Sequence, residues 1–145
     1  MFIIRVYGDK DILSALPNDM ARHSVEGEMP DAVLVMPGQT VDEPLEAPTV
    51  IAPSECRAKT KQFITYGAGP KDTVTFSSVS GDYQILALQR EIVTLGGVRL
   101  ERQDIPLPPN NRPHRTLALC ALMLTTGVEP ASMAESVETQ SEPRK

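Results

Sequence analysis

Three observations in this 145-residue chain predict an α/β fold: a small Rossmann-like, mostly parallel sheet with flanking helices, extended by an antiparallel β-hairpin. Short apolar runs closed by proline or glycine recur through the first half, as in DAVLVM before Pro37 and TVIA before Pro53. Such runs fit strands buried on both faces, the habit of parallel sheets whose strands return by crossovers. From Thr73 the pattern alternates and turns at Gly96-Gly97, and a small-residue helix then ends at Gly127.

Phe2–Tyr7 is β-branched and apolar up to Gly8, which predicts a first strand. Asp9 or Asp11 can cap a following helix, with Ile12, Leu13, Leu16 and Met20 at helical spacing and Pro17 limiting its regularity. Residues 26–30 read as a loop, and 31–36 as a second strand. The acidic, proline-bearing Val41–Pro48 has no periodicity and reads as a surface loop. Thr49–Ala52 is a third strand, Ser54–Lys61 a polar connection with room for one helical turn, and Gln62–Tyr66 a fourth strand.

Thr73–Val79 alternates and is rich in Thr, Val, Phe and Ser, as strands are. Tyr83–Thr94 and Val98–Leu107 alternate about Gly96-Gly97, which can supply the positive φ angles of a tight turn. A helix over Gln84–Leu95 is the other reading, because Leu86, Arg90 and Val93 share a helical face. The charges of Arg90, Glu91, Arg99, Glu101, Arg102 and Asp104 suit cross-strand pairs on a wet face. Pro106–Pro113 is a rigid connector, and Arg115–Thr126 a helix with Gly127 as its C-terminal cap. A short final helix from Glu129 through Glu135 completes one domain of residues 1–135, leaving 136–145 as a disordered tail.

A net charge of −5 leaves no basic stripe for phosphates, so nucleic acid and anionic membranes are not expected partners. The opening MFIIRV and the run Leu117–Leu124 are both too short for a membrane span, and a cytoplasmic location is expected. Cys56 and Cys120 are expected to be reduced. Two cysteines and two histidines without close spacing offer no metal site.

TVIAPSE, FITYG, Asp72, TVTFSSV, the hairpin, IPLPP and LALCALMLTTGVEP occur here in an order that resembles the central domain of Mur ligases. Those are ATP-dependent amide-forming ligases of peptidoglycan-precursor synthesis, and the likeness covers roughly Thr49–Pro130. The resemblance implies a nucleotide-handling ancestry, yet its active parts are missing. Where the family has a G-T-x-G-K-[ST] phosphate loop this chain has Gly8-Asp9-Lys10-Asp11, with one glycine and no Ser or Thr for Mg²⁺. Ala52-Pro53-Ser54-Glu55 stands in for its Asn-Asp-Asp stretch, and Arg112-Pro113 with Thr116 for its His-Asn…Asn signature. These departures argue against ATP-dependent ligation, and no cofactor is expected.

The expectation is a non-catalytic module acting by protein–protein contact or by binding a small ligand at the carboxyl edge of its sheet. Gly8, Asp9, Lys10, Asp11 and Glu55 are the candidate ligand-binding residues, because open sheets bind ligands beyond the carboxyl ends of their strands. The alternative is a divergent enzyme in which Asp9, Lys10, Asp11 and Glu55 converge. Gly67-Ala68-Gly69 reads as a turn rather than a phosphate loop, and His23 and His114 as solvated surface residues.

Overall fold

The computed structural model describes residues 1–17 and 19–140. Its core is a parallel sheet of β1 (Phe2–Tyr7), β2 (Ala21–His23), β3 (Ala32–Val35), β5 (Thr49–Ala52) and β7 (Gln62–Thr65), in the order β2-β1-β3-β5-β7. Register rows such as Val6, Leu34, Ile51 and Ile64 place apolar side chains on one face. The row of Val33, Val50 and Phe63 places them on the other.

The expected Rossmann-like architecture with flanking helices is overturned. The chain is mostly strands, only 21% helical, with a parallel β-solenoid-like arrangement and separate antiparallel sheets. No helix crosses from β3 to β5 or from β5 to β7. Those passages instead contain two-residue strands, β4 (Leu45–Glu46) and β6 (Ala58–Lys59), which pair in parallel with each other. Leu45 and Ala47 pack on Val33, Val35, Val50 and Ala52 as a small second core.

Chain chemistry explains the difference. Residues 36–48 contain Pro37, Pro44 and Pro48, and Pro53 opens the next passage. Proline removes a backbone donor and clashes with the preceding turn, so it breaks helix interiors. The supposed helix after β1 is also reduced, to a 3-10 turn over Lys10–Ala15 that ends before Pro17. β2, unforeseen in the sequence, follows it.

The second half forms a three-stranded antiparallel sheet of β8 (Val74–Val79), β9 (Gln84–Leu88) and β12 (Gln103–Leu107), in the order β12-β9-β8. The hairpin is antiparallel as expected, and the helical alternative for Gln84–Leu95 does not occur. It is broken into two pieces, because β10 (Ile92–Val93) and β11 (Arg99–Leu100) form their own ladder beyond it. Gly97 takes φ of +89° at its turn. Glu91 and Arg99 pair across this outer ladder at 3.1 Å.

α1 (Pro113–Thr126) is buried at every position from Thr116 to Thr126, so it is enclosed all round rather than along one stripe. It packs against β3, β5 and β8 and against α2 (Pro130–Gln140). The hydroxyls of Thr125 and Thr126 donate to the carbonyls of Ala121 and Leu122, which satisfies them inside the core. Gly127 ends the helix in the left-handed conformation, φ +100°. α2 runs past Glu135 to Gln140, with Val137 in the core, so residues 136–140 are helical rather than a disordered tail. Residues 141–145, the rest of that expected tail, lie outside the described residues.

Candidate functional site

Because β1, β3, β5 and β7 run parallel, the segments that follow them emerge at one edge of the sheet. The first turn of α1 meets them there. The result is a cavity of about 670 Å³ lined by Gly38, Ser54, Glu55, Tyr66, the Gly67–Gly69 turn, Asp72 and His114. A second depression of about 470 Å³ shares Pro37 and His114 with it and extends to Asp9, Gln39, Arg112 and Arg115.

The floor of the larger cavity is rigid by construction. Tyr66 is 4% exposed, and its hydroxyl donates to the Val35 carbonyl at 2.6 Å. Burial, with smaller contributions from nearby Cys56 and Glu55, pushes its phenol far above the ordinary range, so it stays neutral. Thr65 and Thr73 clasp the base of the following loop, each N–H donating to the other's hydroxyl at 3.2 and 3.0 Å. Asp72 is 6% exposed and accepts the Gly69 N–H on Oδ2 at 2.8 Å. A Cβ on Gly67 would lie 2.8 Å from that same oxygen, so a glycine is required for the loop to close over the carboxylate. The Gln89 side chain donates to the Asp72 carbonyl at 2.6 Å and ties the loop to the end of β9.

The residues predicted from sequence divide among three places. Glu55 lines the larger cavity. Asp9 lines the smaller one, where it caps the 3-10 turn by accepting the Asp11 N–H at 3.0 Å and also pairs with Arg115 at 3.2 Å. Lys10 and Asp11 line a separate depression with Arg22 and His23. Gly8 lines none of these three; its φ is +118°, and a Cβ there would come within 2.8 Å of the Met36 Cβ. Its role is to let the chain pass closely beside the end of β3.

The candidate site residues read from the sequence do not include Tyr66, Asp72, Ser54 or His114. The available signal was the spacing from Gly67-x-Gly69 to Asp72, since Asp side chains often bond backbone N–H groups in the turn they close. His114 reads as solvated and is exposed, but it stands on the rim of both cavities.

Among the described residues, no group of three or more His, Cys, Asp and Glu side chains is placed to hold a metal ion. No helix among them is long and apolar enough to cross a membrane. Comparison with family models and with curated proteins finds no match to this chain.

Proposed function

We propose that this chain is a non-catalytic module that binds a small ligand in the cavity at the carboxyl edge of its parallel sheet. The observation that carries this reading is the cavity itself. Its volume of about 670 Å³ falls within the range of small-molecule sites, and its floor is held by hydrogen bonds before any ligand arrives. Ser54 and His114 both line it, but among the described residues no hydrogen bond joins them, and a nucleophile needs such a base. The alternative enzyme draws no support from the placement of Lys10 and Asp11, which line a depression apart from Glu55.

The Mur-ligase resemblance enters this proposal as ancestry: a ligase-like segment order kept without the phosphate loop. What supports it is the order of TVIAPSE, FITYG, TVTFSSV and LALCALMLTTGVEP in the sequence.

The test is a screen of a small-metabolite library by ¹H–¹⁵N correlation spectra of the full chain. Saturable shifts at Gly38, Ser54, Gly67 and Gly69, abolished in Ser54→Trp, are expected. Ligands that shift only amides remote from this edge, or no ligand at all, would overturn the proposal.

A further inference from the structure

We infer that the free edge of β6 accepts an extended, acidic segment of a partner protein as a further strand. This surface is separate from the cavity, and the inference does not depend on the ligand proposed there.

The second layer of the solenoid-like half is one strand short. Three strands of the main sheet, β3, β5 and β7, are joined through only β4 and β6, which pair with each other alone. The Leu45 N–H donates to the Arg57 carbonyl at 3.1 Å, so Arg57 turns its backbone groups toward β4. Alternation along the strand turns the N–H and carbonyl of Ala58 the other way, toward an edge with no strand beside it. The apolar row of the main sheet shows the same gap. Val33 and Val50 are 1% and 0% exposed, whereas Phe63, the β7 member of that row, packs on the small core and stays only partly buried. A strand added to β6 would bond to Ala58 and bring its inward side chains toward Phe63.

Charge decides what that strand must carry. Cys56 and Ala58 pack on the small core, so the alternate residues Arg57, Lys59 and Lys61 face solvent, and all three are exposed. Among the described residues none of the three forms an ion pair, not even Lys59 with Glu46, its partner in the β4–β6 register. A neighbouring strand with a carboxylate at every second position would set one beside each cation. A second copy of this chain does not fit. Pairing β6 with itself about a two-fold axis at Lys59 sets Lys59 against Lys59 and Arg57 against Lys61, and like charges directly opposite repel. A long polyphosphate would gain these three cations but meet repulsion from a chain of net charge −5.

The experiment titrates the full chain with a seven-residue peptide of alternating glutamate and valine, capped at both ends, and with its glutamine counterpart. Backbone amides are followed by NMR and by hydrogen exchange. Saturable shifts at Ala58 and Thr60, with slowed exchange of the Ala58 amide, are expected with the acidic peptide alone, and its affinity should fall as salt is added. An exposed ion pair is worth roughly threefold in affinity. Lys59→Gln should therefore cost about threefold, and the triple variant with Arg57→Gln and Lys61→Gln about thirtyfold. All three side chains face solvent, so the variants keep the packing of Cys56 and Ala58. Equal binding of the glutamine peptide, unchanged affinity in the triple variant, shifts without protection of Ala58, or no binding would each overturn the inference. So would the same response to a single-stranded oligothymidylate, or a dimer whose formation protects Ala58.

Discussion

Asp9 and Arg115 join the turn after β1 to the first turn of α1: the Asp9 Oδ2 accepts from Nε of the guanidinium at 3.2 Å, and Nη2 lies at 3.2 Å from the same oxygen. The same carboxylate, through Oδ1, caps the turn that begins at Lys10. Asp9 therefore does two jobs that substitution can separate. Its side chain is 42% exposed, so solvent screening holds the ion pair to about 0–1 kcal/mol, while an N-cap is worth about 1 kcal/mol. Asp9→Asn keeps the cap and should cost no more than the pair. Asp9→Ala loses both and should cost about 1–2 kcal/mol by urea unfolding. Equal effects of the two substitutions would show that the ion pair, and not the cap, carries the contribution.

Gln62 holds the outer ladder to the main sheet by imitating a strand. Its Nε2 donates to the Val93 carbonyl at 2.8 Å, and its Oε1 accepts the Val93 N–H at 2.9 Å. Two hydrogen bonds of this kind are worth about 1–2 kcal/mol, toward the low end because Val93 is 41% exposed and water can replace them. Gln62→Leu should cost that amount and should raise amide exchange at Ile92–Leu100 more than in α1. Uniform exchange changes throughout the chain would mean that the ladder does not open separately from the core.

Much of the fold was legible wherever burial is uniform or strictly alternating. Phe2–Tyr7 and Thr49–Ala52 form strands over the predicted bounds, because apolar runs between Gly and Pro signals leave little choice. α1 was legible for the same reason, and Gly127 marks its end. The solenoid-like layer was not legible. β4 and β6 have two residues each, too few to show a period, and Leu45 sits among Glu43, Pro44 and Glu46 like a stray apolar residue. Only the covering of Val33 and Val50 across the sheet gives Leu45 a reason to be buried. The site was half visible for a related reason. The carboxyl edge follows from parallel strands, but which loop residues turn inward depends on tertiary closure, as at Asp72.

The two cysteines lie in different cores. Cys120 packs in the cluster built around α1, whereas Cys56 borders the small cluster beneath β4 and β6, and both are free thiols. The parallel sheet contributes to both clusters, so a disulfide between them would require it to be dismantled. Burial alone pushes the Cys120 thiol far above its ordinary range. Burial and then the charge of Glu55 raise the Cys56 thiol as well. Since the thiolate is the reactive form, native protein should label slowly at Cys56 and only through global opening at Cys120. Mass-spectrometric peptide mapping after thiol alkylation checks this. Comparable labelling rates at the two positions without denaturant would contradict the packing of α1.

Glu28 gives the structure a pH signature at its acid limb. Its two oxygens accept from Nη1 and Nη2 of Arg22, at 3.0 and 2.5 Å, and Oε1 also accepts the Val25 N–H at 3.0 Å. These bonds, the arginine first and the backbone second, hold the carboxyl down at about 2 from its ordinary 4.5. A carboxylate with a depressed folded value binds fewer protons folded than unfolded near pH 3–4. Its contribution to stability is therefore complete above about 4.5, and it declines as pH falls toward about 2. The contacts bridge β2 to the loop that leads into β3, so acid should loosen that edge of the sheet first. Carbon-detected NMR titration should place the Glu28 midpoint near 2, and Glu28→Gln should flatten that part of the stability curve. A midpoint near 4.5 in the folded protein would show that Arg22 and Glu28 are not held together in solution, and that β2 lacks this anchor.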